Sequence, residues 1–456
     1  MAKMLRRIIW FCKSLAFLAS RCRWEIAILA SLLSLPQISW SQAAKVPQGP
    51  APYTLADSLA RARSGQAELN IFYVHGMGVD ASHWKTSPQE FDVSQEFRTS
   101  FCHLLPCTTK TGEPEGRRAY ASGADFAQDA PTLAYFGDRI WRSTPDWRAA
   151  APFVDHYKLV LGNSGRRGGD NRTTTIYVHE INWWPLVFSA KCRQIVAKEA
   201  SLVGHAEKYF RMCSAPPVPD GNNFRSYTWI TNADEFKAPW QGPTAAVINR
   251  GLKHGLLDWG FTDALLAVGP LRRYLIEGIR ELILDCFDPS KNQEFVVVSH
   301  SLGSYLMFSA LDVRNDPEGL KAFQGRESQF DTVLSETSHA YFMANQIALL
   351  ELANLDDTRN GNLMVHLRTW KQARHDAQLV AWSDPDDLLT WLVPDPRDPT
   401  AADVIPNNLP AMNATRWFWL LANPLKAHVN YDKNKHVLRA IVPNSAANSR
   451  SGRGTE

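Results

Sequence analysis

An α/β architecture built on a mostly parallel central sheet with flanking helices follows from three features of this 456-residue sequence. The first is the short β-branched run Phe295 to Val298, preceded by the turn-rich Asp288-Pro289-Ser290-Lys291-Asn292 and followed by the helix-spaced set Leu302, Tyr305, Leu306, Ser309 and Ala310. A run that is apolar at every position reads as a strand covered on both faces, as strands of parallel sheets are. The second is that the strand-then-helix order recurs along the chain, which is what a parallel sheet with helical crossovers requires. The third is length: residues 44–442 suffice for one domain carrying a large insertion.

Taken from the start, residues 1–43 hold Lys3, Arg6, Arg7, Lys13, Arg21 and Arg23 against Glu25, then the apolar run Ile26 to Leu35, then Ser41-Gln42-Ala43. Basic, apolar and small-residue stretches in that order are the layout of a secretory signal, with cleavage expected near Ala43 and a secreted or periplasmic product. The leader is long and has an earlier apolar patch, Ile8 to Phe11, so a start further downstream, or retention as a membrane anchor, stays open beside cleavage; a cytosolic chain is the remaining alternative. The leader's six basic and one acidic side chains give it +5 of a formal net +3, which leaves −2 on the remainder. A slightly acidic body with no basic stripe argues against nucleic acid as a partner.

Five cysteines lie beyond the leader, and the close spacing of Cys102 with Cys107 and of Cys192 with Cys213 suggests two local disulfide loops, with Cys286 buried and free. Unpaired buried thiols are the competing reading. None of the five has metal-site spacing with a histidine, so no metal is expected.

The first strand of the body is Leu69 to Val74, ending in His75-Gly76-Met77-Gly78. Asp80 to about Trp240 is irregular, with one strand expected at Thr173 to Ile181, and 226 residues separate His75 from Ser301. That exceeds what two or three βα units need, so part of 80–240 is expected to be a cap-like insertion over the active site. His179-Glu180 reads as a strand end and not as a ligand pair. The loop SGRRGGDNR at 164–172 has no Gly-Lys-Ser/Thr and opens no helix, which argues against a phosphate cradle. A helix with Asp263 as N-cap then carries Val268, Leu271, Leu275, Ile279 and Leu282 at steps of three and four.

Between the 295–298 strand and its helix lies Ser299-His300-Ser301-Leu302-Gly303. A serine hydroxyl attacks only if a base can reach it, so a nucleophilic serine must project from a sharp turn flanked by small residues. Further on, Tyr341 to Ala344 with Ile347 to Leu350 reads as another apolar strand. The strand Gln378 to Trp382 then runs into Ser383-Asp384-Pro385-Asp386-Asp387-Leu388-Leu389, and Ala427-His428-Val429 sits in an expected loop before the helix-like Asn434 to Ile441. The tail, 443–456, is rich in Ser, Asn, Arg and Gly and reads as disordered. Asn171-Arg172-Thr173 and Asn413-Ala414-Thr415 match the glycosylation acceptor.

These motifs together resemble the α/β-hydrolase superfamily. Ser299-His300-Ser301-Leu302-Gly303 is similar to its Gly-x-Ser-x-Gly nucleophile elbow, with Ser299 in place of the commoner glycine, and the chain order serine, acid, histidine is the superfamily's own. The resemblance implies an α/β-hydrolase-like fold and an exported serine hydrolase, lipase- or esterase-like, that cleaves a small-molecule or lipid ester through an acyl-enzyme. By the same resemblance Ser301 is the nucleophile, His428 the base and Asp387 the acid, with Asp384 the alternative acid. Backbone N–H groups of Met77 and Leu302 would form the oxyanion hole, supported by His75, Gly76 and Gly303. No cofactor is required. A non-catalytic binding protein of the cell envelope on the same fold, and an acyltransferase using the same triad, are the alternatives.

Overall fold

The computed structural model describes residues 54–77, 93–105, 107–108, 116–119, 153–162, 173–184, 187, 260–269, 272–351, 363–393, 407–414 and 424–442. The leader 1–43, the tail 443–456, the loop 164–172 with its acceptor Asn171, Cys192, Cys213 and most of the expected insertion lie outside the described residues. Among those described, no helix is long and apolar enough to cross a membrane.

In chain order the strands are β1 Glu68–Val74, β2 Cys107–Thr108, β3 Gly116–Ala119, β4 Phe153–Leu161, β5 Thr174–Asn182, β6 Gln293–His300, β7 Thr337–Met343, β8 Gln378–Ser383 and β9 Asn407–Pro410. They form one sheet in the order β2-β4-β5-β1-β6-β7-β8-β9, with β3 also paired to β4. From β5 to β9 every neighbour is parallel, whereas β2, β3 and β5 all pair antiparallel with β4. The fold is thus α/β with a mostly parallel sheet, as the sequence predicts.

Alternation along each strand sends side chains to two layers. Phe72, Val74, Phe295, Val297, Ala340, Phe342, Leu379 and Ala381 face one apolar layer. This layer is completed by helices α3 Thr262–Val268, α4 Arg272–Asp285, α5 Leu302–Leu311, α7 Glu327–Glu336 and α9 Leu363–Ala373; α6 Pro317–Ala322 and α8 Ile347–Glu351 are short. Leu69, Ile71, Tyr73, Val296, Val298, Tyr341, Met343, Val380 and Trp382 face the other layer, with α1 Ala56–Ser64, α2 Gln95–Leu104 and α11 Lys435–Ile441. β6 is buried along its length except for an intermediate His300, which accounts for its unbroken apolar run.

Within the span 80–240, part of which is expected to be an insertion, β2, β3, β4 and β5 belong to the central sheet. Three expectations are corrected. The helix expected from Asp263 is two, α3 and α4, parted at Gly269-Pro270, since proline lacks the N–H that a continuing helix would use; Phe261, not Asp263, is the N-cap. The apolar segment 341–350 is a strand only to Met343: Ala344 takes a positive φ of 53°, which ends the strand, and Ile347–Glu351 is helical. Cys102 and Cys107 are thiols and not a disulfide, with the Cys107 thiol pushed up by its hydrogen bond with Cys102 and by burial. Cys286 is a free thiol donating to Leu282 O at 3.2 Å.

Along the chain, β1 is followed on one side by β4 and β5 and then, across the sheet, by β6. The strand order therefore reverses between β1 and β6. At such a switch point the loops leaving the carboxyl ends diverge and open a crevice, and β1 and β6 end there in His75-Gly76 and His300-Ser301.

Candidate active site

Ser301 joins β6 to α5 with φ 54° and ψ −123°. A non-glycine residue there costs about 1–3 kcal/mol and persists only where its surroundings hold it. Three constraints do so. Ser301 N–H donates to Met343 O at 2.7 Å, tying the turn to the end of β7. A Cβ on Gly303 would stand 2.6 Å from the carbonyl oxygens of both His75 and Val74, and one on Gly76 would stand 2.7 Å from Ser301 Cβ. The two glycines thus let the end of β1 and the start of α5 close on the turn from both sides. Ser299, where the superfamily pattern has glycine, is fully buried, and its hydroxyl meets that of Ser304 at 2.8 Å.

His428 bridges the turn to the acid: its Nε2 lies 3.1 Å from Ser301 Oγ and its Nδ1 2.8 Å from Asp387 Oδ2. The expected loop around His428 is instead a short helix, α10 Pro424–Val429. Asp387 Oδ1 accepts from Leu389 N–H at 2.9 Å, and Oδ2 also accepts from the Thr390 hydroxyl. Burial alone would raise this carboxyl, but the hydrogen bond and charge of His428, with the Thr390 and Leu389 donors, hold it below the usual range. Asp387 is thus the ionised partner of the imidazole.

Asp384, the alternative acid, is not on His428. Its Oδ1 accepts from Asp386 N–H at 2.8 Å and its Oδ2 from Asn413 N–H at 2.6 Å, so it closes the turn after β8 onto the segment after β9. Burial raises its carboxyl despite those two donors.

Two aromatic neighbours were not singled out by the sequence. His300 meets the rings of His428 and Tyr431 edge-on, at 5.5 and 5.8 Å between centroids. Burial, then the His428 charge, lower His300 to about 3, so it stays neutral beside the His428 imidazole. Tyr431 Oη accepts from Asp384 N–H at 2.7 Å, linking the acid turn to the segment after His428. The alternating His300-Ser301 motif was the only signal for the first, and nothing local announced the second.

Of the expected oxyanion donors, Leu302 is the first residue of α5, a position whose N–H has no acceptor within the helix. Met77 closes the described part of the β1 loop, its sulfur receiving the Gln346 side-chain amide at 3.6 Å. His75 stacks on Trp183 at 4.7 Å, and Trp183 Nε1–H donates to His75 O at 3.1 Å, which fixes the path of the backbone leading to Met77.

The chain matches no protein-family model, and no curated protein and no solved structure matches it significantly.

Proposed function

We propose that this protein is an exported serine hydrolase with an α/β-hydrolase-like fold, cleaving a carboxylic ester through an acyl-enzyme. The observation that carries the reading is the continuous contact Ser301 Oγ, His428 Nε2, His428 Nδ1, Asp387 Oδ2, made from a serine held at positive φ. Hydrogen-bonded chains of this type raise the nucleophilicity of a hydroxyl by giving its proton a place to go.

In the proposed reaction His428 Nε2 takes the Ser301 proton as Oγ bonds to the ester carbonyl carbon. The ionised Asp387 holds the Nδ1–H tautomer and stabilises the imidazolium. The N–H groups of Leu302 and Met77 receive the negative charge that develops on the carbonyl oxygen. His428 returns the proton to the departing alcohol, and water, activated by the same imidazole, releases the acid. The substrate is a small-molecule or lipid ester, and residues 1–43 are the segment that would direct export or hold the chain at a membrane.

The test is labelling of the purified protein with a fluorophosphonate. Covalent attachment at Ser301, absent in Ser301→Ala, is the expected result. An unlabelled, folded wild type would overturn the hydrolase reading.

A further inference from the structure

A second cluster of reactive side chains lies away from Ser301, on the layer of the sheet covered by α4. In the antiparallel ladder His156 of β4 stands directly opposite His179 of β5, so both imidazoles leave the same face. Cys286, the residue after α4, comes down onto that face and belongs to the same apolar layer. The two Nδ1 atoms are 2.7 Å apart. Together with Cys286 Sγ, one ligand atom from each residue lies within 4.8 Å of the others.

The surroundings of His179 are those of a ligand and not merely of a packed ring. Its Nε2 lies 2.9 Å from Asn70 Oδ1, and Asn70 Nδ2 donates to Glu68 O at 2.9 Å, so the amide presents its oxygen to the imidazole. An amide oxygen only accepts, hence Nε2 carries the proton and the Nδ1 lone pair points into the cluster. Fixing a histidine through its remote nitrogen in this way is what supports metal ligation.

We propose that His156, His179 and Cys286 form a binding site for a divalent ion of the zinc type. Two imidazoles and a thiolate suit a borderline-soft ion and not the oxygen-seeking magnesium or calcium. Tetrahedral zinc, with bonds of about 2.0–2.1 Å to nitrogen and about 2.3 Å to sulfur, sets its ligand atoms roughly 3.3–3.7 Å apart. The imidazole pair must therefore open by about 0.6 Å and the longest contact close by about 1 Å, shifts within side-chain rotation. On binding, Cys286 gives its thiol proton to solvent and exchanges its hydrogen bond to Leu282 O for the metal bond. His156, whose Nδ1 donates to His179 in the metal-free cluster, moves that proton to Nε2. His156 is half-buried while the other two are buried, so the cluster is reached from the His156 side and a water takes the fourth position there. The ion would join the antiparallel β4–β5 edge to the end of α4. Phe72, in register with His179, precedes Gly76 by four residues, roughly 13 Å of strand, so the ion is no part of the ester chemistry.

No sequence spacing announces this site, because its ligands come from three segments spread over some 130 residues and only the β4–β5 pairing and the end of α4 unite them.

The test uses the full chain, stripped by chelator and titrated with Co2+. The expected result is a thiolate-to-cobalt charge-transfer band saturating at one ion per chain and removed by Zn2+. Cys286→Ser should abolish the band, and His156→Gln, at the half-exposed position, should weaken binding at least tenfold while circular dichroism shows the fold intact. Ser301→Ala should bind as wild type does. A wild type without the band, a band that persists in Cys286→Ser, or His156→Gln with unchanged affinity would each overturn the proposal.

Discussion

Asp384 and Asp387 are three residues apart in one turn, yet one carboxylate is spent on backbone N–H groups and the other on an imidazole. Asp387→Asn is therefore expected to lower kcat by about 10³–10⁴, because the amide favours the wrong His428 tautomer and cannot stabilise its cation. Asp384→Asn keeps one acceptor oxygen in place of two and is expected to cost about 1–3 kcal/mol of stability, with kcat changed severalfold at most. Steady-state kinetics and urea unfolding of the pair check this; a large kcat loss confined to residue 384 would reverse the roles. The preference for Asp387 over Asp384 rested on the resemblance, whose acid is usually followed by two apolar residues and a small one, as in Asp387-Leu388-Leu389-Thr390; crowding adds only that three carboxylates within four residues cannot share one dry site without raising one another. What singles out Asp387 in space, the Thr390 hydroxyl and the edge of His300 on His428, depends on how distant segments fold over the turn.

At the scale of elements, the strand-turn-helix unit 293–311 was readable because its demands are local: an all-apolar strand, small residues around the serine and a helix-spaced run. Its close packing on the end of β1 was not, yet that packing sets the sharpest expectation. Gly303→Ala would push a methyl group 2.6 Å from two carbonyl oxygens, neither at the end of a flexible side chain. The backbone of β1 or the first turn of α5 must shift, so a destabilisation of about 1–3 kcal/mol or more and near-complete loss of the proposed esterase activity are expected. A Gly303→Ala protein with wild-type thermal stability and turnover would show that the two elements are not packed as described. Ser299→Gly is the complementary change: it removes the 2.8 Å hydroxyl pair with Ser304 and leaves a buried partner unsatisfied. It is expected to cost about 1–2 kcal/mol without loss of fluorophosphonate labelling, so the serine here is a stabilising departure from the glycine pattern. The Gly269-Pro270 break was legible in principle, because proline inside a helical repeat ends it; the apolar periodicity running across the break masked the signal.

For the whole molecule, the parallel centre of the sheet was visible and its antiparallel edge was not. β6, covered on both faces, advertises itself by composition alone. β4, Phe153–Leu161, carries Asp155, His156 and Lys158 among its apolar residues and reads locally as irregular; it becomes a strand by pairing with β5 over nine residues. The same long-range closure brings the C-terminal segment back onto β1, and there it buries an acid. Asp432, in the 3₁₀ turn Tyr431–Lys433, accepts from Tyr73 Oη at 2.6 Å. Burial raises it to about 6, the Tyr73 bond opposing and the nearby Glu96 charge adding to the shift. A carboxyl whose folded pKa lies above its unfolded value of about 3.9 favours the fold in its protonated form. Its contribution is complete below about pH 4, fades as pH rises to about 6 and is gone above, where the fold must hold a buried charge. Two pKa units correspond to about 3 kcal/mol. Asp432→Asn cannot ionise and still offers Tyr73 an oxygen, so after allowing for a weaker hydrogen bond the variant is expected to exceed wild type by about 1–2 kcal/mol at pH 7.5 and by nothing at pH 4. Chemical unfolding of both proteins at the two pH values isolates this group, because every other titration is common to the pair. A difference that does not grow with pH would mean that Asp432 is ionised at no cost, and that the turn after His428 is solvated and not packed on β1.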